Sequence, residues 1–300
     1  MVKLKKLKYM KTKNLLGMIA FVAIFTLGSC SKDNSSSADS KLTSADAVAS
    51  NKMDKAANDI SDVVEDVYFQ QNPSGAGKNA TNFVSSLPAC ASVSDPTLTA
   101  TTWSRTVTFN NCSFNGNILT GEIIVSGALP LPTANTLATT GYTINYQFVN
   151  FTHNDILIEG NRSITRKFAS SDLLADSHPI HIMDMNMTAT FPNGDVYTRI
   201  GTRTRECVEN FGNYDLSDNV YKIYQSITST RPNGTQHSHV VLASAPLKIN
   251  MNCQYRVVSG ILTISGPLHN AVIDYGNGDC DNNATIAIDG GTATSFTFGN

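Results

Sequence analysis

The sequence predicts a mainly β protein in which an antiparallel meander forms one large curved sheet, either sandwich-like or a partly open barrel, preceded by a single amphipathic helix. From Trp103 to Phe298 the chain consists of β-branched and aromatic runs broken by Gly, Asn and Pro. Asn-Gly pairs separate several of these runs, as in β-hairpin turns. Charged residues make up only 15% of the chain. We therefore expect residues 80–300 to form a single all-β domain, a size at which β folds often stay undivided.

Residues 1–29 have the organisation of an export signal. Six lysines precede an apolar run from Leu15 to Leu27, which is too short to span a bilayer. The run closes on Leu27-Gly28-Ser29-Cys30, which resembles the lipobox of bacterial lipoproteins. The resemblance implies that Cys30 carries the lipid, of the palmitate type, and becomes the new N-terminus.

Residues 30–42 are polar and small, which predicts a flexible tether between the lipid and the folded domain. The Ser31-Lys32-Asp33 start resembles the surface-export tags of Bacteroidota lipoproteins, although it holds one acid only. We expect an outer-membrane, lipid-anchored protein. The periplasmic and surface-exposed faces both stay open.

The charge of the mature chain argues against nucleic-acid binding. Residues 1–29 hold six lysines and no acid, so the remainder carries a net charge of −8. Phosphate contacts require clustered Lys and Arg. We therefore expect no nucleic-acid partner and a membrane link through the lipid on Cys30 alone.

The spacing of apolar residues in residues 43–72 predicts the amphipathic helix. Thr43 and Asp46 have capping-box spacing, and Asn72-Pro73 ends the segment. The apolar stripe comprises Ala49, Met53, Ala56, Ile60, Val63 and Val67, while Lys52, Lys55, Asp59, Asp62 and Asp66 lie elsewhere on the helix. The stripe fits packing on the protein's own sheet or, alternatively, pairing with a partner helix.

Three hairpins follow from the turn sequences. A two-residue turn at Asn193-Gly194 pairs Met187 with Ile200 on an apolar face and Asp184 with Arg203 on a polar face. A second such turn at Asn233-Gly234 pairs Ile227 with Val240 and Thr228 with His239. Asn154-Asp155 predicts a third hairpin.

Five cysteines remain after Cys30, and a weak internal repeat suggests how four of them pair. The stretches that end in Cys112 and in Cys280 look alike, and each has a cysteine upstream. The matching positions predict the disulfides Cys90–Cys112 and Cys253–Cys280. We expect Cys207 to be a buried thiol.

The stretch from Val272 to Asn282, which contains Asp-Tyr-Gly-Asn-Gly-Asp-Cys-Asp-Asn, resembles a group of uncharacterised Bacteroidota outer-membrane lipoproteins of the Flavobacteria type. They share a lipobox, a helix, a first strand that ends in Cys, Asn-Gly hairpins and this C-terminal motif. In this chain Asn110-Asn111 replace the glycine usual before the first-strand cysteine. The resemblance implies an exported lipoprotein and brings no catalytic residues.

Metal and ligand motifs are incomplete. The start of a calcium-binding loop is present at Asp279, Asp281 and Asn283. The Gly and Glu that such a loop requires are replaced by Ala284 and Gly290. We therefore expect no cofactor, and calcium is the metal candidate. His237-x-His239 and His178-x-x-His181 lack a third zinc ligand at a telling spacing, and we expect exposed strand histidines.

Other polar and sulfur-bearing positions favour structural roles. We expect Tyr197, Arg199, Arg203 and Arg205 to line one side of a strand and to pair with Asp184 and neighbouring acids; the alternative is contact with an anionic ligand. Met183, Met185 and Met187 predict core positions.

The sequence contains no nucleophile elbow, phosphate loop or His-Glu-x-x-His motif. We therefore favour a non-enzymatic envelope lipoprotein that binds a partner protein, a glycan or another envelope component. One alternative is a periplasmic-type carrier whose sheet and helix enclose an apolar ligand. Another is a hydrolase with a dispersed carboxylate pair.

Overall fold

The computed structural model describes residues 44–72, 85–212 and 216–298. The predicted signal, Cys30 and the tether lie outside these residues. Within them a single sheet of 16 strands accompanies one long helix and one short one. The helices are α1 (Ser44–Gln71) and α2 (Ala134–Thr139), and the strands are β1 (Ser92–Val93), β2 (Thr97–Leu98), β3 (Thr102–Phe114), β4 (Asn117–Ala128), β5 (Tyr142–His153), β6 (Ile156–Glu159), β7 (Asn161–Ser171), β8 (Leu174–Thr190), β9 (Val196–Glu209), β10 (Val220–Thr230), β11 (Gln236–Val241), β12 (Leu247–Asn250), β13 (Val257–Ser265), β14 (Asn270–Asn277), β15 (Asn283–Ile288) and β16 (Thr294–Thr297).

The strands follow one another across the sheet in chain order, and every pairing is antiparallel. Strands β6 and β7 together occupy one place between β5 and β8, and β11 and β12 share the place between β10 and β13. The path runs from β1 to β16 without closing. The predicted meander is confirmed, and the sheet is not a closed barrel.

The two faces of the sheet differ in chemistry because side chains alternate along each strand. The inner face, which contacts α1, carries the core and a set of arginines and histidines. The outer face carries mainly hydroxyl and amide side chains, together with exposed apolar residues such as Ile200, Ile261 and Val272. One cross-strand row on the outer face runs through Thr97, Ser104, Ser126, Asn145, Ser163, Asp184, Thr202, Ser226, Val240, Thr263, Val272 and Ala287.

Helix α1 occupies the inner face with nearly the bounds predicted, and it packs on the protein's own sheet. Its apolar stripe lies in the main core, where Ile60, Val63 and Val67 are at most 1% exposed. Its polar side is buried as well: Asp59 and Asp66 are 1% and 0% exposed. The predicted apolar stripe is thus confirmed, and the polar side of the helix is enclosed by the sheet, which supplies it with partners.

The registers predicted for both Asn-Gly hairpins are wrong by one residue. Met187 lies opposite Arg199, and Ile227 lies opposite His239. The turns are three-residue Pro-Asn-Gly loops: the Gly194 amide donates to the Phe191 carbonyl, and Gly194 has a φ of 89°. In the turn from Phe191 to Gly194, Pro192 takes the second position, which favours proline. Gly194 takes the fourth position, whose left-handed conformation favours glycine. The longer loop moves the arginines and histidines from the outer face to the inner face.

The other local predictions have mixed outcomes. Asn154 and Asp155 form the predicted two-residue turn, both with positive φ, between the paired residues His153 and Ile156. Met183, Met185 and Met187 are core residues, as predicted. Helix α2 was not expected, since only strand signals were evident after Trp103; the Thr133 side chain caps it by accepting from the Thr136 amide.

The cysteine pairing agrees with the prediction from the internal repeat. Cys90 lies beside Cys112 with the Cα atoms 5.6 Å apart, and Cys253 lies beside Cys280 at 5.2 Å. Both distances fall in the range of disulfides. Cys207 is buried, belongs to neither pair, and directs its sulfur at the Glu209 carbonyl.

Candidate functional site

The interface between α1 and the inner face is a network of buried ion pairs. Five arginines of β7 and β9 enter it, and we call them the inner-face arginines: Arg162, Arg166, Arg199, Arg203 and Arg205. They are at most 4% exposed. Asp54 accepts from Arg199 at 2.7 Å and from Arg203 at 3.2 Å.

Further along the helix, Glu65 accepts from Arg166 at 2.7 Å and from Arg205 at 3.1 Å, and Asp62 also accepts from Arg205, at 2.6 Å. The predicted pairing of these arginines with Asp184 is wrong. Asp184 lies on the outer face, where it accepts from Ser163.

Asp59 connects two distant parts of the sheet to the helix. Its carboxylate accepts from Asn117 at 2.6 Å and Asn115 at 2.9 Å, beside the β3–β4 turn, and from His153 of β5 at 2.8 Å. From the other half of the sheet, Arg256 lies 3.6 Å away. One buried carboxylate thus joins the β3–β5 region to the loop that precedes β13.

Burial and neighbouring charges move several pKa values in this network. Burial by itself raises the pKa of Glu65, but His181 and the two arginines outweigh it and lower that pKa to about 2. Burial lowers the pKa of His181 to about 3, against the attraction of Glu65. Burial likewise lowers the pKa of His239 to about 3, and Arg199 acts in the same direction. At neutral pH the network therefore holds a charged Glu65 and uncharged side chains at His181 and His239.

A narrow cleft opens beside the helix, between α1, the loop before β13 and the end of β16. Its volume is about 40 Å³, room for about three water molecules. Tyr255 and Phe298 supply aromatic lining, and Lys55, Asn58 and Arg256 supply polar lining. Asn58 is 7% exposed, and its side-chain oxygen accepts no hydrogen bond from the part of the chain that the structure describes. We refer to this feature as the α1 cleft.

The histidines singled out in the sequence are buried, so the expectation of exposed positions is wrong. His237 and His239 lie on the inner face, and His178 lies on the outer side beside Glu206 at 2.8 Å. Glu206 also accepts from Ser171 and Tyr224. Across residues 44–72, 85–212 and 216–298, no three or more His, Cys, Asp or Glu side chains are grouped so as to hold a metal ion.

The calcium candidate lies in an open pocket of about 240 Å³ at the end of β14 and β15. Asp279, Asp281 and Asn283 line it, together with Asp274. Asp281 is engaged locally, because its oxygens accept from the backbone and side-chain nitrogens of Asn283. Calcium binding here stays a prediction.

The α1 cleft, Asp59 and His153 are not recognisable in the sequence as parts of a site. The signals were present but not decisive: acids recur along the helix, and arginines occupy every second position from Arg199 to Arg205 except Gly201. Only the observed register places these two sets opposite each other.

No described helix is both long enough and apolar enough to cross a membrane. Comparison with protein-family models, with curated proteins and with solved structures gives no match.

Proposed function

We propose that the protein is a non-enzymatic, lipid-anchored envelope protein that binds a neutral glycan, with the α1 cleft holding the edge of one sugar ring. The observation that carries this proposal is the composition of the cleft. It combines aromatic walls, cationic donors and an unpartnered buried acceptor, the Asn58 oxygen.

Sugar hydroxyls match this composition because each one both donates and accepts hydrogen bonds. A hydroxyl that donates to Asn58 can accept from Lys55 or Arg256 in the same cleft. The apolar side of a sugar ring can pack on Tyr255 and Phe298. The volume admits a hydroxyl or hydroxymethyl group, and the rest of the glycan would lie outside.

The filled inner face favours a binding module over a carrier of an apolar ligand. The space between helix and sheet is occupied by core side chains and ion pairs, which include Tyr68, Trp103 and Arg199, each 0% exposed. A carrier would have to release α1 and leave its acids and the inner-face arginines without partners, at a cost of several kcal/mol for each pair.

The carboxylates in the cleft do not suit a glycosidase. Asp54 and Asp59 both line it, but a glycosidase requires one acid that is protonated at working pH. Although burial acts to raise the pKa of Asp54, the charges of Arg199 and Arg203 lower it. Asp59 accepts three hydrogen bonds. The arginines that hold Asp54 and the three donors that hold Asp59 support a structural role for both side chains.

The cleft can be tested by titrating the full chain with glucose, galactose, mannose, N-acetylglucosamine and their oligosaccharides, with binding followed by NMR. We expect at least one sugar to bind saturably and Asn58→Leu to weaken that binding about tenfold, the effect of one lost hydrogen bond in a buried site. Asn145→Leu, on the exposed outer face, serves as the matched control. The proposal fails if no sugar binds, or if both variants behave alike.

The anchor is a second part of the proposal, supported by the lipobox-like sequence at Cys30 and by its resemblance to Bacteroidota lipoproteins. In a Bacteroidota host, labelled palmitate should enter the wild-type chain and the Cys207→Ser control, and both should fractionate with the outer membrane. Cys30→Ser should take up no label and leave the membrane fraction. Labelled Cys30→Ser would show that the lipid is attached elsewhere. Protease treatment of intact cells would then distinguish the surface-exposed face from the periplasmic one.

A further inference from the structure

The ion-pair network contains more cations than anions where β7 and β9 meet α1. Three carboxylates, those of Asp54, Asp62 and Glu65, contact four of the five inner-face arginines. The fifth, Arg162, is 4% exposed and has no carboxylate partner among the described residues. Its guanidinium contacts the sulfur atoms of Met185 at 2.6 Å and Met187 at 3.7 Å. A thioether is a weak acceptor and carries no charge.

Other buried polar atoms near Arg162 also lack hydrogen-bond partners among the described residues. Arg162 pairs with Tyr146 across β5 and β7, and Arg203 pairs with Gln225 across β9 and β10. The Nε atoms of Arg162, Arg199 and Arg203, both amide atoms of Gln225 and the Tyr146 hydroxyl have no hydrogen-bond partner in the described part of the chain. All of these side chains are at least 95% buried.

The positions of these residues converge on Gly201. It lies on β9 between Arg199 and Arg203 and faces Met185, one of the two methionines that Arg162 contacts. Gly201 has a φ of 149°, and a Cβ atom there would overlap the Ser226 carbonyl oxygen, so the position requires glycine. Gly201 therefore contributes no side chain to the inner face between Met185 and Ile227.

Deprotonation does not remove the positive charge of the buried arginines at neutral pH. Burial and the neighbouring arginines lower the pKa of Arg203 to about 10, which still leaves it charged at neutral pH. A buried cation without a compensating charge is strongly destabilising. A water molecule could satisfy the hydrogen bonds but would not balance the charge.

We propose that a small inorganic anion, of which chloride is the simplest, binds over Gly201 among Arg162, Arg199, Arg203 and Gln225. The guanidinium Nε–H groups and the Gln225 amide donate to it, and its charge compensates one of the two positive charges by which the five arginines exceed the three carboxylates. The site is internal and structural, and it is separate from the α1 cleft.

The test compares thermal unfolding of the full chain in sodium chloride or bromide with sodium gluconate at the same ionic strength. A ligand that binds only the folded state stabilises it by mass action, so we expect a saturable rise in melting temperature of several degrees with either halide. Arg162→Met removes the one inner-face arginine that has no carboxylate partner among the described residues, with little change in side-chain length, and should abolish the halide dependence. Lys222→Met, on the outer face of β10, should keep it.

A second measurement covers the case in which Arg162→Met does not fold. Gln225→Leu removes one donor without changing the charge and should weaken the apparent halide affinity about tenfold. Crystals grown with bromide should give an anomalous peak over Gly201. Equal melting in chloride and gluconate, or density there without an anomalous signal in bromide, would overturn the proposal.

Discussion

Replacing Asp59 with alanine is expected to destabilise the protein by about 3–5 kcal/mol, the usual cost of removing one partner from a buried ion pair. Three hydrogen-bond donors, Asn115, Asn117 and His153, would lose their acceptor together. Arg256 would lose the nearby charge of Asp59 and keep only Asp62, at 2.9 Å. Equilibrium unfolding in urea, followed by circular dichroism, measures the loss.

A matched control is available on the other face of the sheet. Asp184 is an exposed acid with one hydrogen bond to Ser163, so Asp184→Ala should change the free energy of unfolding by about 0.5 kcal/mol or less. Asp59→Asn distinguishes charge from hydrogen bonding. Its NH₂ group would face other donors, and we expect it to be nearly as destabilising as alanine. A loss below about 1 kcal/mol for Asp59→Ala would mean that the two parts of the sheet are held to the helix by packing alone.

Acid is expected to destabilise the protein at pH values well above the folded-state pKa of Glu65, which is about 2. His181 and His239 have folded-state pKa values of about 3, below the ordinary 6.5, because burial disfavours their charged form. Between pH 6.5 and about 3 the two histidines bind more protons in the unfolded chain than in the folded chain. The free energy of unfolding therefore falls as pH falls through this range. Two such histidines give a slope of about 2.7 kcal/mol per pH unit where both differ fully between the states.

The carboxylates extend the same trend to lower pH. The stability that Glu65 contributes is present above pH 4.5 and is lost as pH falls towards its folded-state pKa of about 2. Asp66 acts in the opposite direction, because burial raises its pKa despite its hydrogen bonds to Gln70, Ser85 and Ser86. The single carboxyl group of Asp66 does not reverse the loss of stability at falling pH that His181, His239 and Glu65 cause.

Urea unfolding between pH 7.5 and 4 measures this dependence. His181→Gln should remove the contribution of one histidine to the slope of the free energy of unfolding against pH, because glutamine does not titrate. The exposed variant Asp184→Asn should leave the slope between pH 6.5 and 5 as it is in the wild type. A free energy of unfolding that stays constant from pH 7 to 4.5 would contradict the pKa shifts of both histidines.

The sequence alone determined the fold class and much of its framework. The strand-forming runs with polar turns specify an antiparallel meander, and the spacing of Ile60, Val63 and Val67 specifies the face of α1 that enters the core. The disulfide partners also followed from sequence, because the repeat places Cys90–Cys112 and Cys253–Cys280 in equivalent positions. The strands and the core face of α1 depend on local propensity and on the spacing of apolar residues, which residues close together in the chain encode.

The tertiary structure decided the register and hence the chemistry of the inner face. A hairpin loop that is longer by one residue, set by Pro192 and Pro232, places Arg199, Arg203 and His239 against α1. A slip of one residue exchanges the two faces of a strand, so an error in turn length changes every partner beyond it.

The burial of acids along α1 was equally invisible in sequence. Asp59 and Glu65 are stable inside the protein only because donors from distant strands converge on them, His153 lying 94 residues from Asp59 in the chain. A buried charge is tolerated when such partners exist and is expelled to solvent when they do not. That balance depends on which strands surround the helix, and this is decided only when the sheet has formed.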